Sequence, residues 1–215
     1  MIPRFPVYLF DVDGTLLDSA PDITASLSQA LKRTRQNNVS PEFLRSYIGR
    51  HLIDLFEHLL PEWTRQQHDE LVLEYRAIYL ARGHRQTRPY PGVAELFPAL
   101  PGRKSTATTK GTPTTGLILE QFGLRPYFDH IQGTDGFPSK PEPDVILRAV
   151  QALGARPEDC LMVGDSGPDM EAGRRAGVKT CAVRWGYGNH AEMASFQPDY
   201  WIDTPAQLLP TLAAQ

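Results

Sequence analysis

Beyond Tyr90 the chain alternates repeatedly between short apolar or β-branched runs and helical ones, and few folds accept that pattern. The runs are "KSTATT", "DHIQG", "CLMVG", "KTCAV" and "YWID", and helical stretches at residues 115–122, 144–153 and 169–176 fall among them. A further apolar run near the start, "VYLF", stops at Asp11. Strands separated by helices of this length cannot pair as hairpins. They predict an α/β fold, a doubly wound parallel sheet with helices on both faces.

The stretch between the first run and Tyr90 reads differently. Ile23, Leu27 and Leu31 recur every four residues within a predicted helix at 22–36. Ser40 followed by Pro41 marks the start of another, Gly49 interrupts it, and Leu52, Leu55, Phe56 and Leu59 resume the apolar stripe. Leu71, Tyr75, Ile78 and Tyr79 define a last helix before "ARGH". An all-helical insert at residues 20–88 is therefore expected, with residues 1–19 and 89–215 forming the α/β core.

With 215 residues, 41% of them hydrophobic, the chain can bury a substantial core. A formal net charge of −3 offers no broad positive field, so neither nucleic acid nor an anionic membrane is an expected partner. Cys160 and Cys181 lie in apolar strand-like runs and read as reduced core residues. The N-terminus shows no signal-peptide pattern and no long apolar segment occurs, so a cytoplasmic location is expected.

Ligands of open parallel sheets bind outside the carboxyl ends of the strands. The residues there are Asp11 and Asp13, Thr108 to Lys110, Lys140 in "TDGFPSKPEP", and Asp165 with Asp169. Asp11 and Asp165 offer hard oxygen ligands suited to Mg²⁺, and no His or Cys cluster points to zinc. A cation would also relieve the repulsion among these carboxylates. Lys110 reads equally as a substrate contact and as a solvated loop lysine. Thr15 and Asp18 have structural readings beside functional ones, a side-chain hydrogen bond closing the turn and a cap for the following helix, and for Asp18 the structural one leads.

"DVDGTLLDS", "TTK", the lysine of "SKPEPDVIL" and "VGDSGPDMEAG" occur in an order that resembles the haloacid dehalogenase superfamily. The helical insert, "YPGV", "FGLRPYFD" and "VRWGYG" resemble its phosphoglycolate phosphatase-like branch, in which the insert is a cap domain. The resemblance implies a Mg²⁺-dependent phosphatase acting on a small phosphomonoester. It assigns the nucleophile to Asp11, forming an aspartyl phosphate, and the general acid and base to Asp13, whose backbone carbonyl also binds metal. Thr108, Thr109 and Lys140 would bind phosphate, Asp165 would complete the metal site, and Ser166 and Asp169 would hold its waters or its loop. Relatives mostly carry asparagine where Thr109 stands, a change that a backbone contact survives. Dehalogenases expel halide and need no second acid, so Asp13 speaks for phosphoryl transfer. Arg50 and His51, in the cap loop "YIGRH", are the candidates for selecting substrate. A phosphomutase of the same fold and a non-catalytic phosphate-binding regulatory module are the rival readings.

Overall fold

Whether every strand is buried on both faces decides how the sheet is covered, and in this chain the central ones are. The computed structural model describes residues 2–209; Met1 and residues 210–215 of the expected core lie outside the described residues. In chain order come β1 (Val7–Phe10), β2 (Leu17–Asp18), α1 (Ala20–Leu31), α2 (Pro41–Arg45), α3 (Leu52–Leu59) and α4 (Arg65–Ala81). There follow β3 (Arg88–Pro89), α5 (Val93–Ala99), β4 (Arg103–Thr106), α6 (Thr112–Gln121), α7 (Asp144–Ala152) and β5 (Cys160–Gly164). The last elements are α8 (Gly167–Ala176), β6 (Lys179–Val183), α9 (His190–Ser195) and β7 (Tyr200–Ile202).

Five strands form one parallel sheet in the order β4-β1-β5-β6-β7. Every residue of β1 and β5 is buried, as continuous apolar runs in a doubly covered sheet should be. Successive side chains point to opposite faces. Tyr8 and Phe10 pack with Phe97 of α5 and Ile118 and Leu119 of α6. Val7 and Leu9 pack with Val145, Ile146 and Ala149 of α7 and Ala172 of α8 on the other face. The Phe10 ring lies 5.3 Å from that of Phe97 and 6.1 Å from that of Phe128, and truncating it to alanine would cost about 3–5 kcal/mol.

From β1 the chain crosses to β4 on one side, and from β4 it returns past β1 to β5 on the other. The connections therefore diverge between β1 and β5, leaving a crevice at their carboxyl ends. Asp11 follows β1 and Asp165 follows β5, so the strand order alone brings these two loops to one place.

Helices α1 to α4 share a separate apolar cluster that includes Leu27, Leu31, Leu44, Phe56, Tyr75 and Tyr79. The chain enters and leaves this block through β2 and β3, which pair antiparallel, Leu17 opposite Pro89 and Asp18 opposite Arg88. Buried Asp22 fastens the same junction, accepting hydrogen bonds from the backbone N–H groups of Gln86 and Thr87, both at 2.8 Å, and from the Thr87 hydroxyl at 2.9 Å. Ser40 caps α2 through the Phe43 N–H, and Gly49, at φ 94°, makes the anticipated break before α3.

Three local expectations change. Helix α1 spans Ala20–Leu31, not 22–36, because the Thr34 hydroxyl bonds the Leu31 carbonyl and competes for the helix end. "DHIQG" makes only a single bridge, Ser105 to His130. Its groups bond β4 through backbone and side chains alike: the Asp129 and His130 N–H groups donate to the Lys104 carbonyl, the Gln132 N–H donates to the Thr106 hydroxyl, which donates to the Gln132 carbonyl, and the Asp129 carboxylate accepts from the Lys104 N–H. Of the polar β4 side chains, Thr106 is the one those bonds use. Finally, α5 and α9 were not anticipated; both are short, seven and six residues, and α5 contains Pro98. Both cysteines are buried and unpaired, as expected.

Candidate active site

Gly14 turns the chain back immediately after β1, at φ 90°, where a Cβ would sit 2.2 Å from Oδ2 of Asp165. The turn can therefore approach the β5 loop closely only because this residue is glycine. Around it gather Asp11, Lys140, Asp165 and Asp169, all buried. Carboxylate oxygens of Asp11, Asp165 and Asp169 lie within 4.8 Å of one another. Lys140 Nζ donates to Asp11 Oδ1 at 2.8 Å, to the Ala107 carbonyl at 3.0 Å, and to Asp169 Oδ1.

One ammonium against three buried carboxylates leaves a net negative cluster. Burial pushes the Asp11 and Asp165 carboxyls well above the ordinary carboxylate range; Asp169 and the pair's mutual repulsion add to this, and Lys140 partly offsets it at Asp11. Burial opposes charge on Lys140 as well, but Asp11 and Asp169 more than compensate and hold its ammonium protonated. Hard oxygen donors with excess negative charge fit a small divalent cation such as Mg²⁺.

The partners of each carboxylate separate their roles. Both oxygens of Asp169 have donors: Oδ2 accepts from the Ser166 N–H and hydroxyl, closing the first turn of α8, and Oδ1 takes Lys140. Asp165 accepts from the Thr15 hydroxyl at 2.9 Å and the Tyr187 N–H at 2.8 Å. Among the described residues only Oδ1 of Asp11 has a protein donor, which leaves Oδ2 open for chemistry.

Asp13 stands apart from that cluster. Its Oδ1 accepts from the Ser19 hydroxyl at 2.5 Å, and its Oδ2 lies 3.1 Å from Lys110 Nζ. Lys110 is thus no solvated loop lysine. Thr108 is buried beside the Ala107 carbonyl that Lys140 holds, and its hydroxyl accepts from the Lys110 N–H at 3.3 Å. Thr109 lines a cavity of about 120 Å³ between the helical block and the sheet, together with Asp13, Lys110, Tyr79, Arg50 and His51.

Several placements depart from expectation. Thr15 does not close its own turn but binds Asp165. Asp18 does not cap α1; it accepts from the Tyr187 hydroxyl at 2.7 Å. Tyr187, given no role from sequence, touches both sides of the site through Asp165 and the first turn of α1, where it accepts from Ser19 and Ala20. The glycines flanking it in "WGYG" were the available signal. His51 caps α3 through the Ile53 N–H, and Arg50 lies 3.3 Å from Glu192 of α9, while both face the cavity.

A doubly wound sheet with a buried Asp–Lys–Asp cluster at its switch point and a carboxylate-bearing turn beside it defines a class of α/β hydrolase. The model of the haloacid dehalogenase-like hydrolase family matches residues 8–183, and the chain belongs to that family. It is 36% identical over 207 residues to a phosphoglycolate phosphatase of Aquifex aeolicus, covering 94% of each chain. It is 32% identical to pyrophosphatase PpaX of Bacillus cereus, covering 95% of each. A solved haloacid dehalogenase-like hydrolase from Streptococcus pneumoniae superposes with a TM-score of 0.87 at 28% identity, over 95% of this chain and 97% of that one.

Proposed function

We propose that this protein is a Mg²⁺-dependent phosphatase that hydrolyses a small phosphomonoester through an aspartyl phosphate on Asp11. The observation that carries the reading is the Lys140 ammonium held between Asp11 and Asp169 at the β1–β5 crevice, with no donor to Asp11 Oδ2 among the described residues. The names of the relatives, phosphoglycolate phosphatase and pyrophosphatase, support the substrate class.

Asp11 Oδ2 attacks phosphorus and the bond from phosphorus to the ester oxygen breaks. Asp13 gives its proton to the departing oxygen, then takes one from the water that attacks the phosphoaspartate, releasing inorganic phosphate and the Asp11 carboxylate. Lys140 and the Thr108 hydroxyl and Thr109 N–H meet the charge on the phosphoryl oxygens. Asp11, Asp165 and the Asp13 carbonyl would hold the divalent cation, which supplies further charge neutralisation. Asp169 and Ser166 keep the Asp165 loop and Lys140 in register. Residues 20–88 act as a cap that shields the reaction from solvent, with Arg50 and His51 facing the substrate's remainder. Among the described residues no helix is long and apolar enough to cross a membrane.

The deciding experiment is release of phosphate from p-nitrophenyl phosphate and from a panel led by phosphoglycolate and pyrophosphate. Turnover should require Mg²⁺ and vanish in Asp11→Asn. A wild-type protein inert toward the whole panel would reject the enzyme reading in favour of a binding module.

A further inference from the structure

Lys110 belongs to the sheet side of the molecule, yet its ammonium is shared with the helical block. Nζ lies 3.1 Å from Asp13 Oδ2, donates to the Tyr79 hydroxyl at 3.3 Å, and sits 4.4 Å from the centroid of the same ring. The side chains of Lys110 and Asp13 are only 10% and 12% exposed, so this pair is not a loose surface contact. Tyr79 is itself immobilised in α4: Tyr75 stacks on it at 5.8 Å, and the His84 ring meets it edge-on at 4.9 Å. The other oxygen of Asp13 is held by Ser19, at the start of α1. Both oxygens of Asp13 are therefore placed by groups whose positions follow the helical block.

We propose that Lys110 is a positioning residue for the acid/base carboxyl of Asp13, tethered by Tyr79 so that docking of the helical block sets that carboxyl's orientation. The proposal rests on Asp13 being the acid/base of the reaction. Lys110 itself neither gives nor takes the proton. Its effect is geometric, since a carboxyl displaced by about 1 Å protonates a leaving oxygen about 100-fold less effectively.

The test is kcat/KM for a series of aryl and alkyl phosphates spanning leaving-group basicity, in wild type, Lys110→Met, Lys110→Arg, Tyr79→Phe and Asp13→Asn. An alkoxide must be protonated as it leaves, whereas p-nitrophenolate need not be. Lys110→Met should lose about 100-fold on alkyl phosphates and about 3-fold or less on p-nitrophenyl phosphate. Tyr79→Phe should shift the series in the same direction by less, and Lys110→Arg should restore most of the activity. Tyr79→Phe keeps the ring and its packing, so it carries the test if Lys110→Met does not fold. Equal losses across the series, or a KM increase confined to substrates bearing a second anionic group, would overturn the proposal. A flat series for Asp13→Asn removes the acid/base role and the proposal with it. A steep series for Asp13→Asn beside a flat one for Lys110→Met and Tyr79→Phe rejects the positioning role alone.

Discussion

Lys140 Nζ lies 2.8 Å from Asp11 Oδ1 although 129 residues separate the two in the chain, and both side chains are almost wholly buried. Neither residue satisfies its charge by local structure. The ion pair exists only because β1 and β4 are neighbours and the connection between α6 and α7 carries Lys140 back to their carboxyl ends, where its ammonium also meets the Ala107 carbonyl.

Removing that ammonium should be costly in two ways. Lys140→Met leaves Asp11, Asp165 and Asp169 buried together without a counter-charge, and breaking a buried pair costs about 3–5 kcal/mol. It should also lower kcat by about 10²–10³ through loss of charge stabilisation on the phosphoryl group. Urea denaturation alongside steady-state kinetics measures both, and an unchanged kcat would contradict the assigned role.

The same crowding of carboxylates predicts linkage to a divalent cation. Mg²⁺ at 100 times its dissociation constant should stabilise the wild type by about 2.7 kcal/mol, read as a rise in thermal midpoint. Asp165→Asn should be more stable than wild type in chelator, because one repelling carboxylate is gone, and should gain little on adding Mg²⁺. A variant that gained as much as wild type would place the cation elsewhere.

Gly14→Ala tests the close approach of the two loops. The added methyl meets Asp165 Oδ2 at 2.2 Å on a residue already at φ 90°, so strain and displacement combine. A loss of about 1–3 kcal/mol is expected, together with a weaker Mg²⁺ response, since Asp165 must move. Circular dichroism melts with and without the ion would reveal both effects.

Asp22 gives the pH dependence. Burial alone would raise its carboxyl, but the Gln86 and Thr87 donors and Arg82 outweigh burial and hold it below the ordinary range. A carboxyl depressed on folding contributes stability that is complete above its unfolded value, near pH 4, and is lost as pH falls through the folded value. Asp22→Asn should therefore cost about 1–3 kcal/mol at pH 7, and the gap from wild type should narrow below about pH 4. A gap that stayed constant down to pH 2 would exclude the linkage.

The strands of the sheet were readable because their signal is local. Four or five consecutive apolar residues followed by Asp or Gly in "VYLF" and "CLMVG" describe a buried strand with a polar loop, whatever the rest of the chain does. "DHIQG" misled for the opposite reason. It looks like a strand by composition, but where a ladder would continue, the Thr106 hydroxyl takes the Gln132 N–H and the Asp129 carboxylate takes the Lys104 N–H, and side-chain partners leave no periodicity. Lys110 was undecidable from its neighbours, since what excludes water from it is Tyr79, which lies on another element altogether.

The linear chain determined which residues end strands, where helices begin at Ser40 and break at Gly49, and which carboxylates are available, all consequences of backbone preference within a few residues. Tertiary structure alone decided that Lys140 serves Asp11 and Asp169 together, that Tyr187 spans from Asp165 to α1, and that Lys110 reaches Asp13. Those pairings depend on strand order and on how the helical block sits against the sheet. Short-range forces act only once distant segments have been brought within a few ångströms, and no local pattern encodes that distance.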